Sequence, residues 1–197
     1  SGEEVWSYHA LNLLIHLGAG LALLGLVRRT LELPGMPEQW RTGAGPIALA
    51  VAGIWLAHPL QTESVTSIVQ RTESLVGLFY LLTFYAFVRA LAGGGRARAW
   101  LIVSVLACLI GMATKEVMVT APVMVLLFDR TFAAGSFREA LRRRGGYYAA
   151  LAATWLLLGW ILFHAGGSRG EAAGFGLGVT PWTYALTQCR AVLLYLQ

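Results

Sequence analysis

The chain has 197 residues, 57% of them hydrophobic and 13% charged, with 15 Lys/Arg against 10 Asp/Glu for a formal net charge of +5. A soluble domain averages about 25% charged residues, so too few polar groups are present to cover a water-facing surface, and the mean hydropathy of +0.63 excludes an ordinary soluble globular enzyme. The basic excess does not point to nucleic acid, because the arginines sit in short stretches between apolar blocks, where they signal membrane topology instead.

In chain order, the blocks read as helices. The first span covers about residues 8–29 and stops at Arg28-Arg29. A polar loop with Pro34, Pro37 and Arg41 follows. The second span, about 46–60, opens on Pro46, a residue suited to the first turn of a helix, and closes at His58-Pro59. Residues 61–74 are too polar to span. Placed on a helix at about 100° per residue, Val65, Ile68, Val69, Thr72 and Val76 share one face and Glu63, Ser67, Gln70 and Ser74 the other, which predicts an amphipathic helix lying on the membrane surface. The third span, about 75–92, is rich in Phe, Tyr and Leu. Beyond the Gly93-Gly94-Gly95-Arg96 turn, blocks at about 99–114 and 116–129 are each shorter than the ~20 residues of a simple span and are parted by Lys115-Glu116. A further span, about 147–164, leads through a glycine-rich stretch to a more polar helix starting at Pro181 and covering 181–197. The expected fold class is all-α: a polytopic helical membrane bundle of about six to seven spans with one short interfacial helix. Residues 1–197 then form a single partial transmembrane domain, expected to be an internal fragment.

Residues 99–129 admit two readings: one long helix, or a hairpin of short helices with Lys115-Glu116 at its tip. Charge favours the hairpin. It gathers Arg28, Arg29, Arg41, Arg89, Arg96, Arg98, Arg130, Arg138, Arg142, Arg143 and Arg144 on one side and leaves Arg71, Lys115, Arg169 and Arg190 on the other. The basic side is then cytoplasmic. Residues 61–74, the Lys115-Glu116 tip and residues 164–188 face outward.

Function is expected where costly polar groups converge. The outer face gathers His58, Glu63, Arg71, Glu73, Lys115 and Glu116. A charge at the bilayer centre costs about 2.5–3.5 kcal/mol on insertion scales, so such residues are rarely idle. Arg71, with its planar fork, and Lys115, as a point charge, suit a phosphate. The plainer reading is that these charges anchor helix ends and pair with each other. His9, Asn12 and His16 fall at i, i+3 and i+7 on one face of the first span. They are either interhelical hydrogen-bonding glue or members of a proton relay. Cys108 and Cys189 show no metal-ligand or disulfide spacing, so no metal is expected. Trp6, Tyr8, Trp100, Tyr147 and Tyr148, near span ends, read as interfacial anchors.

The stretch from His58-Pro59 through Glu63-Ser64-Val65 to Arg71-Thr72-Glu73-Ser74-Leu75 resembles a signature of the transmembrane and tetratricopeptide-repeat O-mannosyltransferase family and its bacterial relatives. Three further stretches agree in order and spacing: Tyr8-His9-Ala10-Leu11-Asn12 to His16, Thr114-Lys115-Glu116 to Pro122 and Asp129, and Thr187-Gln188-Cys189-Arg190 to Tyr195-Leu196. The resemblance implies a class C glycosyltransferase-like bundle that uses a polyprenyl-phosphate-linked sugar as donor substrate. It implies chemistry on the outer face, with a protein or glycan acceptor and membrane lipid as partners. It places the protein in a bacterial inner membrane, or in the endoplasmic reticulum membrane of a eukaryote. It also implies that the acidic catalytic base and the tetratricopeptide repeats lie outside this stretch, so the fragment alone is not expected to be active. On this reading Arg71 and Lys115 hold the donor phosphate. His58, Glu63, Glu73 and Glu116 form the polar cluster around it, with Glu63 and Glu116 orienting the cations, and His9, Asn12, His16 and Arg190 are secondary candidates. The rival is a non-catalytic transporter or scaffold. A transporter should carry charges deep in several spans and internal repeats, and neither is evident.

Overall fold

The structure, a computed structural model, describes residues 5–59, 71–164, 186–188 and 191. Its elements are α1 (Val5–Leu31), α2 (Glu38–Thr42), α3 (Ala44–Ala57), α4 (Arg71–Leu91), α5 (Ala97–Thr114), a 3₁₀ turn (Glu116–Thr120), α6 (Ala121–Asp129), a wider π turn (Arg130–Ala134) and α7 (Phe137–His164). Among the described residues, four helical stretches, Tyr8–Leu31, Arg71–Leu91, Ala97–Thr114 and Glu116–Ala134, are long and apolar enough to cross a membrane. The protein is an all-α integral membrane bundle. The chain divides into two compact units, Ser1–Leu158 and Gly159–Gln197. In the second, the described residues include the last turns of α7, where His164 Nδ1 donates to the Trp160 carbonyl at 2.9 Å and the two rings lie 4.5 Å apart.

Pairwise contacts fix the helix directions in the first unit. Asn12 meets Arg71, Gly18 meets Leu78 and Gly25 meets Tyr85, so α1 and α4 run parallel. His16 meets Leu56, so α3 runs back between the same two ends. The α5 helix opposes α4: Trp100 packs on Tyr85 and Ser104 donates to the Thr83 carbonyl. The chain after α5 returns along α4, with Lys115 near Glu73, Tyr80 near Thr120 and Phe84 near Phe128. The segments 99–114 and 116–129 are therefore a hairpin. The last helix turns back again, pairing Tyr148 with Asp129 and Trp155 with Val119. Every described Lys and Arg other than Arg71 and Lys115 belongs to the opposite end of the bundle.

The hairpin has local causes. Lys115 has extended backbone (φ −156°, ψ 150°), which ends α5. Pro122 lacks an N–H and its ring would clash with the carbonyl four residues back, so no regular α-helix runs through 118–122. The chain instead makes a 3₁₀ turn and starts α6 at Ala121. Gly111 makes room for the fold-back: a Cβ there would lie 2.7 Å from Met118 Sδ, and Met118 is fully buried. The returning arm is longer than its apolar block, because Arg130–Ala134 continues it as the π turn.

Small residues bring the helices close, as bilayer packing requires. Ala44, Ala48 and Ala52 form the buried stripe of α3. A Cβ on Gly20 would sit 2.6 Å from Leu56, and one on Gly25 only 2.5 Å from the Tyr85 ring. Polar side chains tie the interior. Ser104 shares a hydrogen bond with Tyr147 at 2.8 Å, and Cys108 lies 3.6 Å from Thr154 Oγ1. Cys108 is buried and free. Of the expected surface helix 61–74, residues 61–70 lie outside the described residues, and Arg71 to Ser74 open α4. Most of the expected helix over 181–197 lies outside them too.

The basic stretch before the last span folds into its own helical turns. Gly135 takes positive φ (77°), and Ser136 Oγ accepts the Glu139 N–H at 3.2 Å, the first half of a capping box. The turns end at Arg144, whose φ of −132° kinks α7. Glu139 receives Arg142 through two bonds (2.9 and 2.8 Å) and Arg143 at 2.5 Å. The Arg142 bonds, then those of Arg143, hold its carboxyl at about 2, down from 4.5. A lowered folded-state value stabilises the fold above pH 4.5 and loses that contribution as the pH falls through about 2. Carboxyl ¹³C NMR should show Glu139 still ionised at pH 3. The E139Q variant should lack the matching acid limb in unfolding scans.

Candidate functional site

The end of the bundle that is poor in arginine carries the predicted cluster. The α4 helix begins there with Arg71, and Tyr8 and Asn12 of α1 face it. Arg71 Nε donates to Asn12 Oδ1 at 3.1 Å, and the guanidinium lies 5.1 Å from the Tyr8 ring centroid. Asn12 is fully buried. Arg71 Nη2 is also buried and has no hydrogen-bond partner among the described residues. A buried donor left unsatisfied costs about 1–3 kcal/mol, and more when it is charged. An acceptor oxygen placed there would satisfy that nitrogen.

Glu73 lies two residues on, about 200° further round the helix at 100° per residue, and faces the hairpin tip. There it forms an ion pair with Lys115. The side chains are about half and one-third exposed (48% and 34%), so water competes for both partners and the lysine can exchange its carboxylate for another anion. Beside Lys115, Glu116 is half-buried, with Oε1 shielded from solvent. His58 is exposed where α3 ends, in the extended backbone imposed by Pro59. Arg71, Glu73, Lys115 and Glu116 thus come together at one end of the bundle.

The α1 candidates separate. Asn12 belongs to the cluster through Arg71. His16, one turn deeper, is buried; its Nε2–H donates to the Leu56 carbonyl at 3.2 Å and its ring stacks on Trp55 at 5.1 Å, which ties α1 to α3. His9 is half-buried near the helix start. Among the described residues, Glu73 pairs with Lys115 and Asn12 orients Arg71. Glu63 and Arg190 lie outside the described residues. Among those described, no group of three His, Cys, Asp or Glu is placed to hold a metal ion.

Sequence reasoning missed a second polar cluster, at the arginine-rich end. Asp129, fully buried at the end of α6, accepts Arg144 Nη1 on both oxygens at 2.9 Å and the Tyr148 hydroxyl at 2.6 Å. Arg144 also lies 5.8 Å from the Phe87 ring centroid. A signal was present: an acid closing an apolar block just ahead of a basic stretch must find a cation if the block is buried.

No family model matches the chain, and no solved structure matches it. Several curated relatives do. Protein O-mannosyl-transferase Tmtc2 of Drosophila melanogaster is 31% identical over 132 residues, 65% of this chain and 13% of that protein. Protein O-mannosyl-transferase TMTC4 of Homo sapiens is 26% identical over 62% of this chain and 17% of its own length. Protein O-mannosyl-transferase TMTC2 of Mus musculus is 28% identical over 65% and 14%. The chain spans less than one-fifth of the length of each. Over nearly two-thirds of its residues, this helical membrane chain is a homologue of proteins named as TMTC protein O-mannosyl-transferases.

Proposed function

We propose that the chain is membrane scaffold and donor-binding wall of a glycosyltransferase, which moves a mannose-like sugar from a polyprenyl-phosphate donor to a hydroxyl of a protein or glycan. The carrying observation is the buried Nη2 of Arg71, without a hydrogen-bond partner among the described residues and held in place by Asn12 beside the Lys115–Glu73 pair. A lipid phosphate needs cations at headgroup depth next to apolar surface. Exposed Leu11 and Leu14 on α1 and Val117 and Val119 on the hairpin return supply such surface near these cations. The Arg71 fork binds the phosphate, and Lys115 leaves Glu73 to meet its remaining charge. Both cations would neutralise charge on the departing polyprenyl phosphate as the glycosidic bond breaks. The resemblance assigns the general base to a segment outside this chain. The arginine-rich end is cytoplasmic by the positive-inside rule. The reaction face is then the periplasmic side of a bacterial inner membrane, or the lumenal side of the endoplasmic reticulum in a eukaryote.

The test is transfer itself. The protein, expressed from its complete reading frame in membranes, is given radiolabelled polyprenyl-phosphate hexoses. Labelled protein or glycan is expected, with mannose the best donor. Absence of transfer from every such donor, with the protein folded, would refute the reading.

A further inference from the structure

At the arginine-rich end, an open cavity of about 330 Å³ is lined by Arg29, Arg89, Gly93, Gly94, Arg96 and Trp100, among others. It joins the C-terminal end of α1, the end of α4 and the turn into α5. Its volume lies at the lower edge of ligand sites, about 300–1,000 Å³. That suits a headgroup rather than a whole lipid-linked sugar.

Three of the arginines at this end converge on the one cavity. Arg28, Arg41, Arg142, Arg143 and Arg144, at the same end, all have carboxylate partners. Arg29, Arg89 and Arg96 have none among the described residues, so three positive charges face one cavity without a counter-ion of the protein's own. Arg89 is pre-positioned: its Nη1 donates to Tyr85 Oη at 2.9 Å, and its guanidinium lies 4.3 Å from the Trp100 ring centroid. These contacts spend little of its hydrogen-bonding fork, which has five N–H donors. The floor is backbone that only glycine adopts with ease, Gly93 and Gly94 having φ of 76° and 90°. No side chain there fills the cavity or screens the arginines.

We propose that this cavity binds a phosphate group, through the forks of Arg29, Arg89 and Arg96. The phosphate belongs either to an anionic phospholipid headgroup, since basic pockets between membrane helices take such groups, or to a soluble phosphate ester. The site lies at the opposite end of the bundle from Arg71 and Lys115 and does not depend on the transferase reading.

The experiment uses the whole protein in detergent. Native mass spectrometry measures retention of added phosphatidylglycerol against phosphatidylcholine, and thermal scans measure the effect of inorganic phosphate against chloride at equal ionic strength. The variant R29Q/R96Q removes two cavity charges and spares the packed Arg89. The control R98Q/R138Q removes two charges at the same end outside the cavity. Preferential phosphatidylglycerol retention that falls on the order of ten-fold in R29Q/R96Q and holds in R98Q/R138Q supports the site with a lipid ligand. Stabilisation by inorganic phosphate alone, abolished only in R29Q/R96Q, supports it with a soluble ligand. Neither effect in the unaltered protein, or equal loss in both variants, overturns it.

Discussion

Replacing Asp129 with alanine is expected to destabilise the bundle by about 3–5 kcal/mol, the usual cost of removing one partner of a buried ion pair. The carboxylate is fully buried, takes both contacts from Arg144 and accepts the Tyr148 hydroxyl. Without it, the arginine, whose side chain is only 21% exposed, keeps its charge and loses its partner. The Tyr148 hydroxyl is orphaned as well. The double variant D129L/R144M should recover most of the loss, because exchanging both charges for apolar groups of similar size is often close to neutral. Denaturant unfolding in detergent gives the comparison. A D129A variant within about 1 kcal/mol of the unaltered protein, the range of ordinary substitutions, would show that the pair does not hold α6 to α7.

The second large effect concerns transfer. Arg71→Ala should lower the rate about 10²–10³-fold, the size of losing one preorganised charge-stabilising donor. Arg71→Lys should recover little, because a point charge cannot reproduce the planar fork that Asn12 orients. Asn12→Ala should cost less, on the order of ten-fold, since Asn12 acts by holding Arg71 and not by meeting the phosphate. The ordering is diagnostic. Equal losses in R71A and N12A, or unaltered rates in R71A with donor affinity unchanged, would remove Arg71 from the donor site.

Much of the architecture was legible because membrane physics writes it coarsely. Long apolar blocks marked the four described helical stretches long and apolar enough to cross a membrane. The distribution of arginines favoured the hairpin at Lys115, which the parallel return along α4 bears out. Pro122 was the local sign that a single helix does not run through. Other features depend on neighbours distant in sequence. Nothing in the spacing of Asp129 and Arg144 announces their contact, because it needs α7 to double back and Arg144 to break its helix. The Ser136 cap on the Glu139 N–H was readable, but the run of arginines around it drew the reading toward topology alone. At the candidate site, the residue types were visible and their pairing was not. Glu73 reaches Lys115 and Arg71 reaches Asn12 because residues two apart on a helix point to nearly opposite sides.

The brevity of α3 has a mechanical consequence. Its 14 residues rise about 21 Å, against a hydrocarbon layer of about 30 Å. Leu49 and Ile54 lie on its exposed side, 64% and 69% accessible, and lipid covering that side would meet apolar side chains over only that height. Acyl chains packed against this flank must compress, and the strain they store falls to zero only where the bilayer is already thin. Where lipid covers it, the flank is expected to be a soft spot in the surrounding annulus, at which the two leaflets are drawn together and a headgroup descends farther than along the taller α1 and α4.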